Sequence, residues 1–168
     1  MISRNIFTDV LLIALLTSVQ VFLLNRIPLF DKYIPVLYPV FVMFYPFYRN
    51  KFVFLGLSFL LGLSVDIVLG TWGINAFATV TIAYFRTLIF RTTTETSTDF
   101  FSFLSLNWSQ FLFFIFISIF IHQLLVQYLE FFKLSRLLDV FINVLATSVV
   151  SFVFILVYAV AFRIKQKV

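Results

Sequence analysis

Long apolar runs, broken by short charged or proline-bearing interruptions, divide the chain into six segments: Ile6 to Leu24, Ile34 to Tyr48, Phe52 to Gly70, Trp72 to Phe90, Trp108 to Leu129 and Leu138 to Phe162. Most approach the length of about 20 mainly apolar residues that crosses a bilayer as one helix. The pattern predicts a single all-α polytopic membrane domain over residues 1–168, with about six transmembrane helices. The first segment is too long for the core of a signal peptide, no small-residue cleavage site follows it, and it is read as retained. The second is short and carries Pro35, Pro39 and Pro46. It is expected to be either a kinked span or a partly re-entrant one, its freed carbonyls satisfied by neighbouring helices.

Composition narrows the class. Hydrophobic residues make up 62% of the chain and charged residues 11%, a balance that a water-soluble fold of this size could not bury. Of the 12 lysines and arginines, eight fall on the side that the two termini share: Arg4, Arg49, Lys51, Arg86, Arg91, Arg163, Lys165 and Lys167. Arg26, Lys32, Lys133 and Arg136 fall on the other side. Positive residues are retained in the cytoplasm, so both termini are predicted to be cytoplasmic. Trp72 and Trp108 at segment starts, with Tyr33, Tyr48 and Tyr128 near ends, suit the headgroup level. The basic residues are spread in pairs rather than gathered on one face, which argues against nucleic-acid binding. Cysteine is absent and there is one histidine, so neither a disulfide framework nor a thiolate or histidine-cluster metal site can form. No cofactor is expected.

All four glycines lie between Gly56 and Gly73, around one acidic residue, Asp66. On a helix, Ser58, Gly62, Asp66 and Gly70 recur every four residues and share one face. Small residues let helix backbones approach closely in a bilayer, and a carboxylate there must face protein, water or a partner. The stripe is therefore read as a packing face. A hairpin turn near Thr71 and Trp72 would bring Asn75 to the depth of Asp66 and allow a hydrogen bond between them. Stabilisation of that hairpin is the preferred role for Asp66; a proton relay is disfavoured because no second carboxylate shares its depth. Ser58, Gly62, Asp66, Gly70, Gly73 and Asn75 are the candidate helix-packing or partner interface.

Other polar positions give weaker signals. Asp9 and Arg86 sit at comparable inner depth, which suggests an intramembrane ion pair; snorkelling of Arg86 to the headgroups is the alternative. Asn75, Thr79 and Ala83 form a stripe on the fourth segment, and Asn143, Thr147 and Ser151 form another on the sixth. Gln123, Gln127 and Glu130, with His122 beside them, give the fifth segment a polar outer end. The stretch from Arg91 to Asn107, polar and then phenylalanine-rich, is read either as a partner-docking loop or as a plain connector. No Gly-rich phosphate loop, Ser/His/Asp set or pair of catalytic carboxylates is present, so an enzyme is not expected. The 26 phenylalanines are read as lipid-facing filling.

The run Gly56-Leu-Ser-Phe-Leu-Leu-Gly62-Leu-Ser-Val-Asp66-Ile-Val-Leu-Gly70-Thr-Trp-Gly73-Ile-Asn-Ala-Phe, continuing through Ile82-Ala-Tyr-Phe, resembles the rod shape-determining protein MreD family. Members have a third helix ending in G-x-x-x-D-x-x-x-G, a short turn with a further glycine, and then a helix with small residues. Gly62, Asp66, Gly70 and Gly73 match that pattern; Pro35, the chain length, the span number and the basic C-terminal tail are also similar. The motif likeness covers about Pro35 to Phe85, and the last two segments match by hydropathy alone. The resemblance implies a non-enzymatic subunit of the bacterial inner (cytoplasmic) membrane, part of the cell-elongation complex. Its implied partners are a bitopic MreC-like protein, the peptidoglycan polymerase and transpeptidase, the MreB filament directly or indirectly, and membrane lipid. It also implies a fold similar to the substrate-binding subunits of energy-coupling-factor transporters. That likeness supplies an alternative function, vitamin capture, with Asp66, Asn75, His122, Gln123, Gln127 and Glu130 facing a pocket.

Overall fold

The computed structural model describes residues 5–29, 32–46, 49–94, 107–130 and 137–167. The polar and phenylalanine-rich stretch 95–106 lies outside the described residues, as do Arg4, Tyr48, Lys133 and Arg136. Helices account for nearly all regular structure: α1 (Ile6–Ser18), α2 (Val40–Phe44), α3 (Lys51–Leu69), α4 (Ile74–Thr94), α5 (Trp108–Glu130) and α6 (Leu137–Lys167). No β-strand forms among the described residues; one isolated bridge joins Leu29 and Tyr33. α1 continues through a π-helical turn, Val19–Leu23, and a 3₁₀ turn, Leu24–Arg26. Neighbours pack in the order α1, α3, α4, α5, α6.

Four stretches among the described residues are long and apolar enough to cross a membrane: Ile6–Arg26, Lys51–Leu69, Trp108–Glu130 and Leu138–Val160. α4 adds a shorter apolar stretch, Ile74–Phe90. Large side chains point outward along these helices, with Phe7, Ile67, Phe113 and Val157 each at least 66% exposed. So much contiguous apolar surface has no stable home in water. The chain is a helical membrane protein.

The second apolar segment departs from a regular span. Only Val40–Phe44 is helical, because Pro35, Pro39 and Pro46 remove amide donors and exclude helix before each proline. Yet the segment is the most buried part of the molecule, every residue from Tyr38 to Tyr45 being buried. Its side chains divide between two apolar clusters. Tyr38, Phe41, Val42 and Tyr45 pack with Ile13, Phe54, Leu57, Leu61, Val65 and Ile82. Val40, Met43 and Phe44 pack with Phe90, Phe111, Phe114, Ile115, Ile119 and Ile155. The helices thus form a wall around an irregular apolar cord.

Such a backbone is tolerated at membrane depth only when its polar groups find protein partners. Gln20, carried on the π turn of α1, supplies two: its Oε1 accepts the Leu37 amide at 2.9 Å and its Nε2 donates to the Pro35 carbonyl at 3.1 Å. Ser151 of α6 accepts the Val36 amide at 2.9 Å. The polar stripe on α6 therefore does more than permit close packing. The cord passes from the level of Gln20 to that of Asp9, running back along α1 toward its start.

Candidate functional site

Asp66 joins two helices by itself. Its main-chain carbonyl accepts the Gly70 and Thr71 amides at 2.7 and 3.1 Å and closes α3. Its carboxylate opens α4: Oδ2 accepts the Ala76 amide at 2.7 Å and Oδ1 accepts the Asn75 amide at 3.0 Å. Asn75 and Ala76 are the second and third residues of α4, whose amides an N-cap side chain normally satisfies. Gly73 stands at that cap position and has no side chain, so Asp66 takes over from the preceding helix. The negative charge also faces the positive end of the α4 dipole. Oδ1 further accepts the Thr71 hydroxyl at 2.5 Å and the Asn75 side-chain amide at 3.0 Å.

Gly62 makes the hairpin close enough for this. A Cβ added there would lie 2.4 Å from Ala76 Cα and 2.6 Å from the Asn75 carbonyl oxygen. Ser58, fully buried on the same face, bonds back to the Phe54 carbonyl of its own helix at 2.8 Å. Gly70 and Gly73 serve differently from the packing role expected of them. Nothing lies within 4 Å of a Cβ at either position, and both adopt left-handed backbone, φ 71° and 88°. The turn geometry requires them. Trp72 between them also has positive φ and is 98% exposed, a ring projecting from the hairpin tip.

A chain of orientations begins at the carboxylate. Because the Asn75 Nδ2 donates to Asp66 and to Thr71, its Oδ1 must accept, and the Tyr38 hydroxyl donates to it at 2.8 Å. That hydroxyl has one proton, so its 2.8 Å contact with His122 Nε2 requires the histidine to donate. His122 is thereby fixed as the Nε2–H tautomer, with a buried Nδ1 that has no hydrogen-bond partner. Four elements, α3, α4, the cord and α5, meet in this one network.

A second polar centre lies at the other end of the cord. Asp9 forms an ion pair with Arg49 and accepts the Tyr45 hydroxyl at 3.3 Å. Arg86 donates to the Tyr45 carbonyl and lies over the Phe54 ring, 4.9 Å from its centroid. Asp9 and Arg86, expected to lie at one depth, both reach Tyr45, one at its hydroxyl and the other at its carbonyl, and Asp9 also pairs with Arg49. Snorkelling does not describe Arg86, which is 3% exposed.

Beside the Asp66 network a cavity of about 510 Å³ opens at the end of the bundle where α3 turns into α4. Asn75, Gln123, Gln127 and Glu130 line it; Asp66 and His122 stand behind its wall, bonded to the lining residues Asn75 and Tyr38. α6 contributes Asn143 and Thr147, the latter accepting from Gln127 Nε2 at 3.3 Å. Among the described residues no group of three or more potential metal ligands comes together.

The sequence reading missed Tyr38, Tyr45, Gln20 and Arg49. Their partners are distant in sequence, and only the path of the cord brings them into reach. One signal was available: tyrosines inside a proline-rich apolar segment need partners for their hydroxyls. No family model, curated protein or solved structure matches the chain.

Proposed function

We propose that the protein is a non-enzymatic scaffold of the cell-elongation machinery in the bacterial cytoplasmic membrane, of the rod shape-determining MreD kind, crossing the membrane six times with both termini cytoplasmic. The observation that carries this reading is the complete internal use of the motif that suggested it. Asp66 is occupied by four donors of its own hairpin, Gly62 by the α4 backbone, and Gly70 and Gly73 by the turn. A carboxylate so committed is suited to holding shape, not to moving protons. In this reading a rigid α3–α4 hairpin presents a fixed outer face to the single span of a bitopic MreC-like partner, which links it to the peptidoglycan polymerase, the transpeptidase and the MreB filament.

The test is cell shape under depletion. Loss of rod form on removal of the protein, rescued by wild type and not by Gly62→Leu, is the expected result. Unchanged width and length after full depletion would refute the proposal.

A second reading, a substrate-binding subunit of an energy-coupling-factor transporter, is favoured by the cavity and its lining by Asn75, Gln123, Gln127 and Glu130. It makes a different forecast: a transmembrane coupling protein and paired ATPases bound to the chain, and no change of cell shape.

A further inference from the structure

The outward face of α4 carries a hydroxyl that the fold leaves unused. The helix packs against α3 and α5, while Phe77, Tyr84, Phe85 and Leu88 project away from the bundle, Tyr84 at 52% exposure. Tyr84 lies about 15 Å along the helix from Ile74 and about 9 Å from Phe90, well inside a hydrocarbon layer about 30 Å thick. Its hydroxyl makes no hydrogen bond among the described residues. A hydroxyl without a partner is costly in that layer, where lipid tails offer no acceptor.

A matching acceptor stands on the same face. Thr81, half-buried, donates its proton to the Phe77 carbonyl at 2.8 Å. Its oxygen can still accept but has no further proton to give. A long side chain on a helix covers the turn N-terminal to its own Cα, which brings the Tyr84 hydroxyl to the depth of Thr81. The two do not bond within one chain.

Two chains can join them. Copies of one membrane protein share a topology, so each residue recurs at the same depth in both. A two-fold axis along the membrane normal sets α4 parallel to its counterpart, with Tyr84 of each copy level with Thr81 of the other. Phe77, Thr81, Tyr84 and Leu88 also follow the alternating spacing of four and three residues that a two-helix seam uses, in which a polar residue fixes the register.

We infer that the outward face of α4 docks a second copy of this chain, in a two-fold pair held by reciprocal hydrogen bonds from Tyr84 to Thr81. The exposed α3 side chains Phe59, Leu60 and Ile67 are left for a single-span partner, so pairing holds or fails independently of the scaffold reading.

The chain has no cysteine, so single cysteines report pairing directly. In native membranes treated with copper phenanthroline, Phe77→Cys and Leu88→Cys are expected to give a disulfide-linked homodimer. Phe113→Cys on α5 and Val157→Cys on α6, at 66% and 70% exposure, are not. With purified Leu88→Cys chain in vesicles of varied protein-to-lipid ratio, adding Tyr84→Phe is expected to weaken pairing about tenfold, since both symmetric bonds are lost. Thr81→Val should weaken it similarly, and the two together no more than either alone. An unchanged melting temperature of the monomer separates lost pairing from misfolding, and Thr81→Val decides the matter if Tyr84→Phe does not fold. No homodimer from the seam positions, equal cross-linking from α5 and α6, cross-linking to a different protein, or full pairing in Tyr84→Phe would each overturn the assignment.

Discussion

The Asp66 carboxylate accepts the backbone amide of Ala76 at 2.7 Å across the α3–α4 turn, so the residue that ends one helix also starts the next. The acid is part of the backbone architecture of the hairpin. Asp66→Asn retains one acceptor oxygen but turns an NH₂ toward one of the donors that now face a carboxylate; it should lose about 1–3 kcal/mol. Asp66→Leu strands all four donors and should lose more than about 3 kcal/mol. Thermal unfolding in detergent measures both, and equal losses would point to the charge instead.

The glycines separate by mechanism. Gly62→Ala drives a Cβ into the α4 backbone and should cost about 1–3 kcal/mol or more. Gly70→Ala meets no neighbour but must hold positive φ, at roughly 1–2 kcal/mol, and Gly70→Asn should be milder because asparagine tolerates that conformation. Gly56 is exposed with open space around it, so Gly56→Ala should be neutral or stabilising by up to about 1 kcal/mol. The same melting series ranks them.

Tyr38→Phe removes the hydroxyl that joins Asn75 to His122. It leaves two buried polar atoms unpaired and should destabilise by about 1–3 kcal/mol. Combined with His122→Leu the loss should be well below additive, since the second change removes a group the first has already orphaned. Additive losses would mean that the contact contributes nothing.

Arg86→Lys keeps the charge but loses the planar group that lies over Phe54 and reaches the Tyr45 carbonyl. A lysine should not substitute here. The expected melting temperature lies nearer to that of Arg86→Met than to wild type; full retention by lysine would show that only charge is needed.

The native chain has no cysteine, which permits single-cysteine labelling without background. Trp72→Cys at the hairpin tip should react with a membrane-impermeant maleimide on intact cells, and Asn50→Cys at the start of α3 only after lysis. The reverse pattern would invert the orientation.

The helical spans and the hairpin were legible because their signals are local: apolar length, the four-residue spacing of Ser58, Gly62 and Asp66, and the nearness of Asn75 across a short turn. The prolines marked the second segment as irregular. They could not show that it becomes the core, because its burial comes from five other helices, α1 and α3 to α6, closing around it. Asp9 was recognised as a buried acid, but its partner Arg49 sits in what reads as an ordinary basic loop. The π turn that aims Gln20 at the cord has no sequence signature of its own. Gln123 and Gln127 were visible as a polar face, whereas the cavity they line depends on Asn143 and Thr147 arriving from α6.

The most direct test of the scaffold account is affinity purification of a tagged copy from native membranes in mild detergent, with co-purifying proteins identified by mass spectrometry. Recovery of a bitopic coiled-coil MreC-like protein together with wall-synthesis enzymes is the result the account predicts. Recovery of a transmembrane coupling protein with paired ATPases, without wall-synthesis enzymes, would contradict it.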